Sequence, residues 1–562
     1  MAERGLNFRS VRSWMALVLA PDADFFRLAI LYGVAISLLS LATPVSVQLL
    51  INSVANTALP APLFTLSAIL FLLLLIAGLL AAFRIHLMAV FERRLFARIV
   101  AEITLRAVHA QNPFFADTRR GDLFNRFFDL ITVQKALPSL LVGGFTIALQ
   151  GAVGLIVTSF YHPFFLAFNV VLVLILLLIW QLWASRAIDS AVAKSHAKHT
   201  AAHWLESVGG SNGFYKSSRH LDYAMDRSEA VTAGYVATHR RHFRYTFAQT
   251  LCLLFTYALA SAALLALGGW LIIRGQLSIG QLVAAELILS GVFYGIAQFG
   301  TYLEAFYDLA GGLEELSRFW SIPQEDSQPT GEGPRDGAIR LRGVEHDGHR
   351  FHFAVDSGEQ LAIVAAPGVE RALTLLLKRH EAAGKGLVLV GGADIAAFDM
   401  YRLRAEVMVL DRPGFVEMSL RDYLTLAGPL DGARLMEALD IVGISERVGG
   451  LADGLDTIVS SSGWPLSIGE LMALKLAAAL LARPRVLVLS PLYDLLPTER
   501  IDAALAALRP SGTTVLQFTR RPEGLNRDGR LWLGSRSQQR CADESELMAA
   551  ARTEGGSHAL QA

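Results

Sequence analysis

Six runs of this chain, at about 26–52, 63–90, 138–160, 163–184, 247–273 and 281–310, are apolar over lengths that cross a bilayer; a spanning helix needs about 20 such residues. A backbone in hydrocarbon must satisfy its own hydrogen bonds, so these runs fold as helices. The short connections at 55–62 and 159–163 carry no Lys or Arg, and the fifth-to-sixth connection carries only Arg274. The two long connections are basic. One holds Arg84, Arg93, Arg94, Arg98, Arg106, Arg119, Arg120 and Arg126; the other holds Arg186, Lys194, Lys198, Lys216, Arg219, Arg227, Arg240, Arg241 and Arg244. Cytoplasmic loops are the ones enriched in such residues, which places both long connections and both termini in the cytoplasm. Good helix formers fill these connections, so the helices are expected to continue well beyond the bilayer. The apolar Trp14–Ala20, behind Arg4, Arg9 and Arg12, is too short for a signal-peptide core and reads as an interfacial helix.

The remaining chain is of another kind. Residues 321–337 form a Pro/Gly/acid linker. From 338 to about 537, short β-like runs (Gln360–Ala365, 386–391, Val407–Leu410, 485–489, 513–518) alternate with helical stretches, which predicts an α/β domain on a largely parallel sheet. Residues 538–562 are polar, helix-prone and read as a tail. Lys plus Arg and Asp plus Glu number 50 each. That balance gives no basic surface for nucleic acid and no acidic solvating segment. Cys252 and Cys541 set no disulfide or zinc framework.

Within the α/β domain, residues 359–375 have the strand–loop–helix frame of a P-loop, G-x-x-x-x-G-K-[ST], with its chemistry replaced. Ala365 stands for the first Gly, Glu370 for the last, Arg371 for the Lys and Ala372 for the hydroxyl residue; Gly368 remains inside the loop. Such a loop works because Gly lets backbone N–H groups converge on an anion while the hydroxyl holds Mg²⁺. A carboxylate there opposes each phosphate charge by roughly 3 kcal/mol at ~5 Å and an effective dielectric of ~20.

Six spans, a linker and a P-loop-shaped α/β domain resemble a half-transporter of the ABC exporter superfamily, over essentially the whole chain. Gly391-Gly392-Ala393-Asp394-Ile395 with Leu403-Arg404 resembles that family's "dG-x-d-i … lR" stretch. Leu466-Ser467-Ile468-Gly469-Glu470 resembles its LSGGQ signature, followed at the family's spacing by Leu481-Ala482-Arg483-Pro484 and the strand Val486–Leu489. Gly275-Gln276-Leu277-Ser278-Ile279-Gly280-Gln281-Leu282-Val283-Ala284 is similar to the type I secretion and peptide-exporter branch.

The resemblance implies a six-helix membrane domain (1–320, all-α, with long cytoplasmic helical extensions), the linker, and an ABC nucleotide-binding-like domain of P-loop-NTPase type at 338–537. It also marks what is missing. The Walker B Asp-Glu is Ser490-Pro491, the Q-loop glutamine position before Pro413 is Asp411, and the switch histidine position holds Thr519-Arg520-Arg521. The D-loop is Asp494-Leu495-Leu496-Pro497, and no adenine-stacking aromatic is evident near Asp347–Gly348. With Mg²⁺ ligands, Lys and water-orienting acid all absent, hydrolysis at this face is not expected.

In such exporters one subunit's P-loop faces the other's signature loop. The resemblance therefore implies a composite site: ATP with Mg²⁺ bound by a partner's Walker motifs and completed here by Ser467, Gly469 and Glu470, with Gly368 and Arg371 as the degenerate Walker A of this chain and no cofactor at its own face. No metal-ligating residue and no catalytic residue of its own is assigned. The alternative for Ser467 is a plain N-cap of helix 468–482, which accounts for Ser but not for Gly469. The same letters, Leu277-Ser278-Ile279-Gly280-Gln281, recur before the sixth span, where a capped helix start suffices. Phe114–Arg126, with Gly121 and Asp122, and Trp204–Lys216, with Glu206 and Tyr215, lie where exporters place their coupling helices. Gln48, Asn52, Arg84, His86 and Glu286 are polar at or near bilayer depth; Gln48 and Glu286 are the cavity-lining candidates, Arg84 and His86 the cytoplasmic-end ones. Two functions stay open: the ATPase-degenerate half of a heterodimeric exporter in the inner (plasma) membrane, or a non-hydrolysing homodimeric scaffold or regulator. Neither names a substrate.

Overall fold

The computed structural model describes residues 8–57, 61–111, 121–325, 333–412 and 414–553. The chain divides into two compact units at Gln324/Glu325.

The first unit is helical. An amphipathic helix α1 (Phe8–Leu19) precedes α2 (Ala23–Leu39), α3 (Ala42–Thr57), α4 (Ala61–Val108), α5 (Asp129–Pro138), α6 (Phe145–Ser159), α7 (Pro163–Gly210), α8 (Ser218–Ile273) and α9 (Ile279–Ser317). Six helical stretches are long and apolar enough to cross a membrane. At 1.5 Å per residue, the 48 residues of α4 and of α7 and the 56 of α8 run to about 70–85 Å, against ~30 Å of hydrocarbon. Each therefore projects far beyond the bilayer.

Two of the expected spans are not single α-helices, and proline accounts for both. The first breaks at Ser40–Leu41, because Pro44 in the opening turn of α3 would set its ring against the carbonyl four residues earlier. The third passes through Pro138 into a π-helix, Ser139–Gly144. There a Cβ on Gly143 would lie 2.4 Å from the Tyr302 ring, so glycine is what lets α9 approach. The spanning surfaces are apolar outward (Leu31 62% exposed, Phe71 69%, Phe255 68%), as lipid-facing helices must be. Inside, Phe91, Leu95, Leu130, Leu313 and Phe319 form one fully buried cluster and Phe165, Leu271, Leu289 and Tyr307 another.

The second unit is α/β. Strands β1 (Ile339–His346), β2 (His349–Val355), β3 (Gln360–Ala365), β4 (Lys385–Val390), β5 (Ala393–Asp394), β6 (Val407–Leu410), β7 (Met418–Ser419), β8 (Ile458–Val459), β9 (Val486–Leu489), β10 (Thr514–Phe518), β11 (Gly529–Leu533) and β12 (Gln538–Cys541) alternate with helices α10 (Val369–Leu377), α11 (Met400–Glu406), α12 (Leu420–Leu424), α13 (Gly432–Ile441), α14 (Ser445–Gly449), α15 (Ile468–Ala482), α16 (Thr498–Leu508) and α17 (Glu544–Thr553). The main sheet has the order β12-β11-β3-β10-β9-β6, parallel except for β12. An antiparallel sheet β2-β1-β4-β5 stands beside it. β9 and β10 are buried at every position, which is why they read as unbroken apolar runs: helices cover both faces of a parallel sheet.

The segment from 538, which composition reads as a tail, is partly structural. β12 extends the main sheet, and α17 packs Leu547 and Ala551 against Val364 and Trp532. Its polarity belongs to an edge strand and a one-sided helix, so composition alone hides it. Residues 554–562 lie outside the described residues.

Candidate nucleotide-binding faces

The P-loop frame is present in three dimensions. β3 ends at Ala365, Gly368 turns the chain at φ +84° where only glycine is unstrained, and α10 starts at Val369 without a side-chain cap. What the frame carries is unlike a phosphate cradle. Ala372 is buried and offers no metal ligand, the Thr374 hydroxyl donates back to the Arg371 carbonyl at 2.9 Å, and Arg371 is exposed. Glu370 occupies the first turn of α10; burial, then the nearby Asp411, push its carboxyl up to about 7, with Arg520 opposing. Asp411 itself is held by Lys378 at 2.9 Å.

Beside this loop, the carboxyl ends of β3, β6, β9 and β10 enclose a cavity of 570 Å³, lined among others by Pro367, Arg371, Arg412, Pro491 and Arg520. That is where open parallel sheets bind ligands. At the end of β9, Ser490 caps a 3₁₀ helix (Pro491–Leu495) through the Leu492 N–H at 3.4 Å and leaves no carboxylate facing the cavity. Asp494 turns instead to the segment after β10. It accepts from the Thr519 hydroxyl and from the Arg520 N–H, each at 2.8 Å, and so fixes the stretch that stands at the switch position.

Two residues here escape a reading of the sequence. Asp494 reads there only as part of a poor D-loop, since the partner it grips lies 25 residues on. His349, beside the Asp347–Gly348 position expected to hold an aromatic, brings Nε2 within 3.3 Å of where a Gly368 Cβ would be. An aromatic ring therefore does reach the loop, as a histidine one position later.

The signature stretch has a different geometry. Ser467 is exposed at the N-terminus of α15; its Oγ accepts from the Glu470 N–H at 3.3 Å, and the Ser467 N–H donates to the Glu470 carboxylate at 2.7 Å. This is a capping box. Glu470 also pairs with Arg447 at 3.2 Å, and Arg447 donates to the Pro465 carbonyl at 2.9 Å. Ile468 is 58% exposed. A Cβ on Gly469 would meet no atom within 4 Å, and its φ is not positive, so nothing within the chain calls for glycine there. The repeated letters before α9 give the same capping box, Ser278 with Gln281, and the motif by itself thus specifies a helix start.

Of the coupling candidates, Phe114–Arg120 lie outside the described residues, as do the side chains of Gly121 and Asp122, which open a 3₁₀ helix to Phe128. Glu206 is exposed on α7. Tyr215 follows α7 and stands edge-on to Trp204 and Phe214, with centroids 6.1 and 5.2 Å away. Among the polar membrane residues, Gln48 accepts from the Tyr161 hydroxyl at 2.9 Å, Glu286 and His86 are exposed, and the side chain of Asn52 lies outside the described residues. Arg84 is 4% exposed and donates to Thr146 and to the Val142 carbonyl within the π-helix. It thereby satisfies a backbone group on the irregular turn.

A further group is invisible to sequence. Asp129, His199 and Glu315 are buried together where α5, α7 and α9 meet. Lys198 and Ser195 also donate to Asp129, Arg126 to Glu315, and Arg318 to the adjacent Glu314 at 2.9 Å. In this knot three carboxylates, Asp129, Glu314 and Glu315, face four bases, Lys198, His199, Arg126 and Arg318, while Glu315 Oε1 is buried without a hydrogen bond among the described residues.

Residues 26–296 match the family model of the ABC transporter transmembrane region. Over 506 residues the chain is 22% identical to the leukotoxin translocation ATP-binding protein LktB of Mannheimia glucosida, a match covering 85% of this chain and 69% of that one. The proteins of the same name from Mannheimia haemolytica and Bibersteinia trehalosi match with the same identity and coverage.

Proposed function

The chain belongs with the ABC exporters, a membrane domain fused to an ATP-binding-cassette domain, and from that premise we propose that it is the ATPase-degenerate half of a heterodimer. A second ABC half-transporter supplies the Walker motifs, binds ATP with Mg²⁺, and uses Ser467, Gly469 and the N-terminus of α15 here to close the site. The observation that carries this reading is Gly469. It is a glycine without steric or dihedral need inside the chain, next to an exposed hydroxyl on an exposed helix N-terminus, where a partner's phosphates would approach. The Walker face supports it from the other side, since its metal-ligand positions hold Ala372 and Ser490 and its water-orienting position holds Pro491. Gly121, Asp122, Glu206 and Tyr215 then transmit motion to the spans. The protein is integral and multi-pass; its basic connections support a plasma-membrane orientation with both termini and the soluble domain in the cytoplasm.

A specific observation favours the second reading, a homodimeric scaffold: Ser467 and Glu470 are fully engaged in the capping box. ATP hydrolysis by the full chain in lipid, alone and co-purified with a homologous half bearing intact motifs, decides between them. Composite catalysis requires silence alone, activity when paired, and loss on Ser467→Ala. Ser467→Asn, which still caps, must lose activity too; if it does not, the hydroxyl was only a cap. Silence in the pair favours the scaffold, and robust activity of this chain alone contradicts both.

A further inference from the structure

Buried polar atoms in a folded chain find a partner, in protein, water or a bound ion. One oxygen where α7 meets α9 has none in the protein. The Glu315 side chain is 0% exposed; its Oε2 is held by Arg126 and lies 3.5 Å from Arg318, yet its Oε1 makes no hydrogen bond among the described residues. That oxygen stands 3.6 Å from Nε2 of His196. The neighbouring Glu314 is arranged alike. Arg318 donates to its Oε1 at 2.9 and 3.1 Å, which leaves Oε2 facing the same imidazole nitrogen at 2.8 Å. Arg318 Nη2 also stands 2.7 Å from that nitrogen. An imidazole nitrogen carries one proton or one lone pair, so it cannot serve two carboxylates and a guanidinium together. Arginine thus occupies one oxygen of each glutamate. The other two oxygens and the ring nitrogen converge within 4.8 Å of one another.

We propose that His196, Glu314 and Glu315 form a binding site for a divalent transition ion of the zinc class, which ties α7 to α9. The site lies within the helical unit and depends on no reading of the nucleotide-binding faces.

The donor set suits such an ion. Imidazole nitrogen with carboxylate oxygen favours the zinc class over Mg²⁺ and Ca²⁺, which take oxygen shells. Bonds of about 2.0–2.2 Å in a tetrahedral shell put ligand atoms roughly 3.4 Å apart. The separations of 2.8 and 3.6 Å bracket that value. His196 is part-exposed, so the ion has a path from solvent and a water can complete its shell.

Charge decides which group gives way. The site is faced by Glu314, Glu315 and Arg318 at the end of α9, and by His196, Lys198 and His199 on α7. Asp129 of α5 and Arg126 of the preceding 3₁₀ helix complete the set. Lys194 and Asp308 of the same long helices neutralise each other at 2.8 Å. Asp129 offers no ligand, since Lys198 holds one oxygen while Ser195 and His199 hold the other. Arg318 is part-exposed and is the cation that can turn to water. Once it does, Asp129, Glu314 and Glu315 outweigh Arg126 and Lys198 by one negative charge, and the ion takes the place of the guanidinium.

Zn²⁺ is the probe, titrated into the untagged full chain in phosphatidylcholine nanodiscs and followed by calorimetry, with Co²⁺ as its spectroscopic substitute. Wild type is expected to bind one tight equivalent of Zn²⁺ that excess Mg²⁺ does not displace. Bound Co²⁺ should give the absorption of mixed nitrogen and oxygen ligation. A partner that only supports a metal ligand is worth about 10–100-fold in affinity, so His196→Ala and Glu314→Gln should each weaken binding by at least about tenfold. Neither residue is fully buried, and melts without Zn²⁺ verify that both variants fold. Arg318→Gln should tighten binding, because the competing cation is gone; a cluster that serves stability alone would gain no affinity from it. Absence of micromolar binding, equal binding by His196→Ala, displacement by Mg²⁺, or no gain in Arg318→Gln overturns the site.

Discussion

At the scale of single residues, Glu370 is the most informative substitution in the chain. A carboxyl whose folded-state value is raised from its ordinary 4.5 to about 7 binds its proton more tightly folded than unfolded. Its ionisation therefore costs stability progressively from about pH 4.5 upward, and the full cost is present above 7. Glu370→Gln should raise the stability of the second unit at pH 8 by on the order of 1–3 kcal/mol and change little at pH 4.5. Thermal melts of wild type and variant at the two pH values check this; an equal effect at both would show that Glu370 is not held protonated. The sequence alone shows a carboxylate standing in the wrong place. It does not show that the same carboxyl holds its proton up to about 7, because that comes first from burial and then from Asp411, against Arg520, groups 41 and 150 positions away.

At the scale of elements, α15 shows how much a motif can mean. Leu466–Glu470 is at once a helix N-terminus and a signature remnant, and the capping box settles only the first. Ser467→Ala should lose about 1 kcal/mol of domain stability. Glu470→Gln should lose less, since Gln serves the box as Gln281 does before α9, and the half-exposed pair with Arg447 contributes only a few tenths. Denaturant melts of the full chain distinguish them; equal losses would mean that the Arg447 pair, not the box, holds the loop. The broken first span follows the same logic. Its apolar run reads as one helix because hydropathy is blind to backbone geometry, whereas Pro44 decides where the helix restarts.

At the scale of the whole molecule, the two units differ in what holds them. The second relies on continuous apolar strands under helices, the first on long helices whose ends are joined by buried charge. Glu315→Gln would remove the buried charge that faces Arg126, 11% exposed, and should destabilise the helical unit by about 3 kcal/mol. Lys385→Met, at a largely exposed pair with Glu345, should change stability by less than about 1 kcal/mol. Thermal inactivation in lipid compares the two, and similar effects would remove the knot from the account of stability.

The chain's own residues determined six membrane crossings, an α/β domain behind them and the loss of Walker chemistry. These are properties of short segments: apolar length, strand and helix alternation, the residue type at each motif position. Only the tertiary structure decided that residues 538–553 belong to the fold, that Asp494 grips the segment after β10, that Asp129, His199 and Glu315 meet, and that Arg371, Arg412 and Arg520 line one cavity with Glu370 and Asp411. Those facts are sums over groups far apart in sequence, and neither burial nor local charge exists until the chain has brought them together.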